Sequence, residues 1–228
     1  MLSLSSPRVI LLAMVILAAG SACFGQATPA ELYAIMTSDT ISDSQSEQIG
    51  QWVEGCVQSI RTGRQDALQR AHSDILALTA QTATPAFRAV LAEQFARRTD
   101  NLVNRLNPEQ SRVLVFALAA VQAEPAVGAL LEALSNGDPA TRLLAARGIA
   151  AFQGNLGEAT DQAVDRLGQV ALAESAPLVK AELCHALGVP ARVETVVPLL
   201  AGIVGDYTDR LRQEGMADVA PLLAATDT

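Results

Sequence analysis

Apolar residues recur at steps of three and four along most of this chain, the spacing that puts them on one side of a helix. The clearest case is Ile49, Trp52, Val53, Cys56, Val57 and Ile60. Ser44 and Glu47, an S-x-x-E capping box, predict its start, and Gly63 predicts its stop. Polar, Ser-rich residues 37–46 separate it from a short segment around Glu31 to Met36. Beyond Gly63 the pattern predicts successive helices with short turns and no alternating strand periodicity. Val127, Leu130, Leu131 and Leu134 form one such face, and Val193, Val197, Leu200 and Val204 another. The expected class is all-α.

The turns share a local chemistry. Thr84-Pro85, Asn107-Pro108 and Asp138-Pro139 each set a capping side chain before a proline at the first helical position, where the missing N–H costs nothing. Aligned on such prolines, LSNGDPATRLLAARGI (134–149) falls on LAESAPLVKAELCHAL (172–187) at an offset of 38. Pro139 then matches Pro177, Arg142 matches Lys180, Ala145 matches Leu183 and Ile149 matches Leu187. TPAFRAVLAEQF (84–95), with Pro85, Arg88, Leu91 and Phe95, reads as an earlier copy. The expected unit is helix, short turn, second helix.

With Leu130-Leu131-Glu132-Ala133-Leu134, Asp138-Pro139-Ala140-Thr141-Arg142 and Ala145-Ala146-Arg147-Gly148-Ile149 in place, the chain resembles the HEAT-repeat superfamily, in particular the HEAT-like repeats of the phycobilisome-lyase type. Pro198 is similar to the proline that bends the first helix of many such repeats. The resemblance covers residues 124–205 well, 64–121 more weakly, and nothing earlier. It implies a short right-handed α-solenoid of helical hairpins. It also implies that an Asp and an Arg at positions 138 and 142 belong to a ladder linking successive repeats. The next unit has Ala176 and Lys180 at those positions, which predicts a weakened or interrupted ladder there. The resulting division is 1–27 signal peptide, 28–63 N-terminal helical cap, 64–121 divergent repeats, 122–206 HEAT-like repeats and 207–228 a C-terminal cap or tail. Val219-Ala220-Pro221-Leu222-Leu223 resembles the opening of a further first helix.

The first residues change the picture of where the protein works. Arg8 precedes an apolar run from Val9 to Ala19 of 11 residues, short of the ~20 needed to span a bilayer. This is the pattern of a signal peptide. Gly25-Gln26-Ala27 offers a small-x-small cleavage site, the preferred reading. Ala22-Cys23 resembles the end of a lipoprotein signal and makes Cys23 a lipidation candidate, although Gly20 stands where a lipobox has an aliphatic residue. Cleavage after Ala27 leaves 201 residues, exported to the periplasm or the medium and free of a transmembrane helix.

Composition then excludes several function classes. Half the chain is apolar but only 4% is aromatic, and the net charge is −8, which disfavours nucleic acid and anionic lipid as partners. The charge is uneven. Residues 61–112 hold eight arginines and five acids, whereas 113–228 hold seven bases and fourteen acids, so a basic partner surface would suit the second half.

No arrangement of residues proposes a reaction. His72-Ser73-Asp74 suggests a triad, yet residues two apart on a helix point about 200° apart and a solvated surface is expected. Glu182 and His185 share a face, as carboxylate-bridged metal bundles require, without the second such motif those bundles need. Cys56 and Cys184 could pair in an oxidising compartment, although both sit in apolar stripes and read as core. Arg97-Arg98 could meet an anion or an acidic partner, but reads first as solvated helix. No phosphate loop, nucleophile elbow or H-E-x-x-H motif occurs. The expectation is a non-enzymatic scaffold that binds a protein partner and carries no cofactor or metal. The alternatives are a bilin-lyase-like ligand-binding protein, which export argues against, and a lipidated structural protein of the envelope.

Overall fold

Four helices begin where a side chain accepts from a free amide of the first turn, at Ser42, Thr84, Asn107 and Asp138. The computed structural model describes residues 29–79, 82–152, 156–188 and 193–214, with side chains described for all but 29, 158 and 210–214. The expected signal peptide, Cys23 and the Val219–Leu223 segment lie outside the described residues. Among the described residues there are ten α-helices and no strand. They are α1 (Pro29–Met36), α2 (Asp43–Thr62), α3 (Gln65–Leu78), α4 (Pro85–Thr99), α5 (Pro108–Val121), α6 (Val127–Ala133), α7 (Pro139–Ala150), α8 (Thr160–Ala173), α9 (Pro177–Gly188) and α10 (Val193–Glu214). Short 3-10 turns, Glu124–Ala126 and Gly157–Ala159, lead into α6 and α8.

The three capped prolines behave alike. Thr84, Asn107 and Asp138 each accept a hydrogen bond from the amide three residues on, with proline at the first position of α4, α5 and α7. Gly63 ends α2 in the left-handed conformation, at φ 66°, where a side chain would be strained. The start of α2 differs from expectation. Its capping box is Ser42 with Gln45, not Ser44 with Glu47, because the earlier match adds a half-turn and sets Asp43 at the helix's positive end.

The helices form two rows. In one, α5 packs on α3 and α7, and α9 on α7. In the other, α4 packs on α2 and on the turn into α6, α6 meets α8, and α8 meets α10. Consecutive helices also pack across the rows, α2 on α3, α4 on α5, α6 on α7 and α8 on α9. The boundary expected at residue 63 therefore falls in the short turn between two packed helices. The copy expected at residues 84–95 is also displaced. Its helix, α4, lies in the row of α2, α6 and α8, and α5 stands beside α3 and α7 as the neighbour of the second helices. A capped proline opens helices of both rows, so the Pro85-to-Arg88 spacing pointed to the wrong one.

Small residues let the rows close. A Cβ on Gly148 of α7 would stand 2.8 Å from Cβ of Ala119 in α5, and one on Gly168 of α8 would stand 2.8 Å from Leu199 of α10. Between the rows lies a continuous apolar core that includes Leu32, Ile60, Ile75, Phe87, Phe95, Leu118, Leu130, Ile149, Leu167 and Leu187. Each large buried side chain there contributes about 1.5–3 kcal/mol. Trp52 meets Phe95 edge to face, with centroids 6.2 Å apart, fixing α2 against α4. Cys56 and Cys184 are both buried and free, as the core reading of those stripes expects.

The last helix turns an unexpected face inward. Val196, Leu200 and Ile203 are buried, whereas Val193 and Val197 are 68% and 55% exposed. The sequence of α10 carries two overlapping apolar stripes, and the close approach of Leu199 to Gly168 selects the one that does not contain Val193 and Val197. Pro198 lies inside this helix.

Candidate interaction surfaces

Polar side chains at the turns tie neighbouring helices together. Arg142 leaves the first turn of α7 and holds Glu174, just before α9, with Nε 2.6 Å from Oε2 and Nη2 2.9 Å from Oε1. Its Nη1 donates to the carbonyl oxygens of Asn136 (2.8 Å) and Gly137 (3.2 Å) in its own turn. Oε1 of Glu174 also accepts from the amides of Ser175 and Ala176. Burial alone would raise the Glu174 pKa, but the Arg142 guanidinium and these two amides bring it below the ordinary glutamate value.

The same junction was expected to be weak because Ala176 replaces an aspartate. Glu174, two residues before Ala176, supplies the carboxylate that Arg142 holds there. On the preceding side, Nε of Arg112 in α5 lies 3.3 Å from Oδ2 of Asp138. Asp138 also caps α7, accepting from the Thr141 amide at 3.0 Å and the Thr141 hydroxyl at 2.8 Å. Burial pushes its pKa up, and the Thr141 bonds and Arg112 more than reverse this. On the following side Nζ of Lys180, 2% exposed, lies 3.9 Å from Asp206 and 5.7 Å from the ring centre of Tyr207, both on α10. Three times, then, a base on one helix faces an acid on or beside a later one, in Arg112 with Asp138, Arg142 with Glu174 and Lys180 with Asp206. Pro139 and Pro177 set the helix starts from which Arg142 and Lys180 project.

Two amides do comparable work that spacing alone did not reveal. Gln110 completes a capping box with Asn107 and also donates to the carbonyls of Ile60 and Arg61, both at 2.9 Å, closing the end of α2. Asn136 donates to the carbonyl of Val103 at 3.1 Å and to Asn104 at 3.0 Å, and accepts from the Asp138 amide. The N-P-E-Q pattern was a visible signal for the first. The carbonyl partners, 49 and 50 residues away, were not.

The residues weighed for chemistry are scattered. His72 is half-buried, its ring 4.3 Å from that of Phe116, rather than on a solvated surface. Burial raises the Asp74 pKa, partly offset by Arg70, and Asp74 lies toward Cys56 and Tyr33, whose pKa values its charge raises further. Glu182 sits 3.7 Å from His185 and accepts from Arg147 of α7 at 3.1 Å. Arg97 pairs with Glu93 on its own helix, while Arg98 crosses from α4 to Glu54 of α2 at 3.1 Å. Among the described residues no group of three or more His, Cys, Asp or Glu is placed to hold a metal, and no helix is long and apolar enough to cross a membrane.

What remains are two surfaces. On the outward side of α3, α5, α7 and α9 the apolar residues Val113, Phe116, Leu143 and Leu144 are half-buried, and Leu76 and Leu178 are 50% and 68% exposed. The Arg147–Glu182 pair neutralises itself on this face. On the opposite row, hollows flank the seven-residue α6 on the sides of α4 and of α8. Two hollows there, of about 600 and 630 Å³, share Gly128 and Glu132, and a third of about 380 Å³ continues past Arg166 and Gln169.

Comparison with protein-family models, with curated proteins and with solved structures finds no match for this chain.

Proposed function

We propose that the chain is an exported, non-enzymatic scaffold, a short right-handed α-solenoid of HEAT-like hairpins that binds another protein at the bacterial cell envelope. The contacting face is the outward side of α3, α5, α7 and α9. The observation that carries this reading is the run of Leu76, Phe116, Leu143, Leu144 and Leu178 across four successive helices of one row. Apolar side chains left partly in water along one row are a means by which soluble proteins meet partners. Cross-unit pairs such as Arg142 with Glu174 support the array reading, because they hold neighbouring units in one register and so keep the face continuous. Export rests on the N-terminal sequence pattern, with Cys23 an anchor in the lipidated variant of the reading.

The test is recovery of the native protein from its envelope fraction after mild cross-linking, with intact mass and identification of the co-purifying protein. A chain beginning near Thr28, with one recurrent partner lost in Leu144→Asp, supports the scaffold. A diacylated Cys23 makes it an anchored one. An uncleaved chain carrying a small ligand overturns the reading in favour of a lyase-like role.

A further inference from the structure

We propose that residues 219–224 of this chain lie back along the exposed face of α10, over Gly202 and Gly205. That face is unlike an ordinary solvated helix surface, which is polar or charged. Val193 and Val197 are 68% and 55% exposed on it. The exposed residues between Glu194 and Asp209 are Thr195, Val197, Pro198, Ala201, Gly202 and Gly205, and none carries a charge. A Cβ on Gly202 or on Gly205 would meet nothing within 4 Å, so the face is open as well as apolar. The last unit of a helical array needs a polar outer side to stay soluble, and here something must cover an apolar one.

The sequence names a segment that fits. Val219-Ala220-Pro221-Leu222-Leu223-Ala224 repeats Val196-Val197-Pro198-Leu199-Leu200-Ala201 with one difference, Ala220 for Val197. In α10 the first copy is the part that packs on α8. Val196 and Leu200 are buried, and Cδ1 of Leu199 closes to 2.8 Å from where a Cβ on Gly168 would stand. The second copy, outside the described residues, carries the same pair of leucines, and α10 offers open glycines as α8 offers Gly168. Reach favours the same chain as its source. Leu222 follows Glu214, the end of α10, by eight residues, a span of up to about 26 Å. Gly205 and Gly202 lie only about 14 and 18 Å back from that end along the helix. A segment tethered this closely meets the face at an effective concentration on the order of millimolar, ahead of a second copy in dilute solution.

The test uses the purified full-length protein with a benzophenone side chain in place of Leu222, irradiated in dilute solution and digested for mass spectrometry. An adduct within one chain, on peptides from residues 193–209, is the expected result. Gly202→Glu sets a charge beneath the leucines at a position with open space around it, and should cut that adduct by about fivefold or more. Gly128→Glu, at an equally open position on α6, should change it less than about twofold. The proposal is overturned by the absence of an adduct on residues 193–209, by equal yields in Gly202→Glu and wild type, or by adducts that form only between two copies.

Discussion

Arg142 and Glu174 meet fork to fork between the start of α7 and the start of α9, with side chains 16% and 3% exposed. A nearly buried carboxylate held by a guanidinium and two amides is costly to leave alone, because its charge has already given up water. Arg142→Ala should lower stability by about 3 kcal/mol in urea denaturation, the low end for a broken buried pair. Arg97→Ala, at a pair that stays in water, should change it by less than about 0.5 kcal/mol. Arg142→Lys should recover little, because an ammonium cannot fill both contacts. Equal losses at the two positions would contradict the architectural role.

The same pair sets a pH dependence. The Glu174 pKa lies below its unfolded value, so its contribution is full above about pH 4.5 and is lost as pH falls through the depressed native value. Asp138, also depressed, acts in the same direction. Midpoints measured from pH 7 to pH 3 should fall in the acid range, and the fall should be smaller in Arg142→Ala.

Asp74 has the opposite sign. Its pKa is raised by burial, so the folded state favours the protonated form, and stability declines as pH rises through the native value. Asp74→Asn should therefore raise the melting temperature at pH 7, and the gain should vanish below the ordinary aspartate range. A constant gain across pH would show that the change acts by packing.

Gly148 and Ala119 test the spacing of α5 and α7. With a new Cβ 2.8 Å from that of Ala119, Gly148→Ala should cost about 1–3 kcal/mol despite alanine's better helix propensity. Adding Ala119→Gly should return part of the loss, as a double-mutant cycle of denaturation midpoints would show.

The two buried thiols should be inert. Burial pushes Cys56 up to about 12 and Cys184 up to about 11, the first raised further by Asp74 and the second eased slightly by Lys180. At pH 8 neither should react with a disulfide reagent until the chain unfolds, when both should.

Much of the architecture was legible because helix starts and apolar stripes are local. Thr84, Asn107, Asp138 and Gly63 announced their boundaries through the atoms that free amides and a left-handed residue require. Choices between local equivalents were not legible. Two S-x-x-E/Q boxes overlap before α2, two apolar stripes overlap on α10, and a capped proline opens helices of both rows. Only packing decides among these. The resemblance implied a linking role for Arg142, but its acid, Glu174, lies 32 residues away at a position the repeat spacing does not mark. The surfaces were least legible, since the hollows beside α6 depend on how neighbouring helices are spaced and the apolar face on which side of each helix faces out.

The most direct measurement of the scaffold reading is site-specific photo-cross-linking in the native envelope, with a benzophenone residue at Leu144, at Leu178 or, as a control, at exposed Gln58 on α2. The reading predicts an adduct with the same protein at Leu144 and Leu178, and none at Gln58. Adducts of equal yield at all three positions, or none at Leu144 and Leu178, would contradict it.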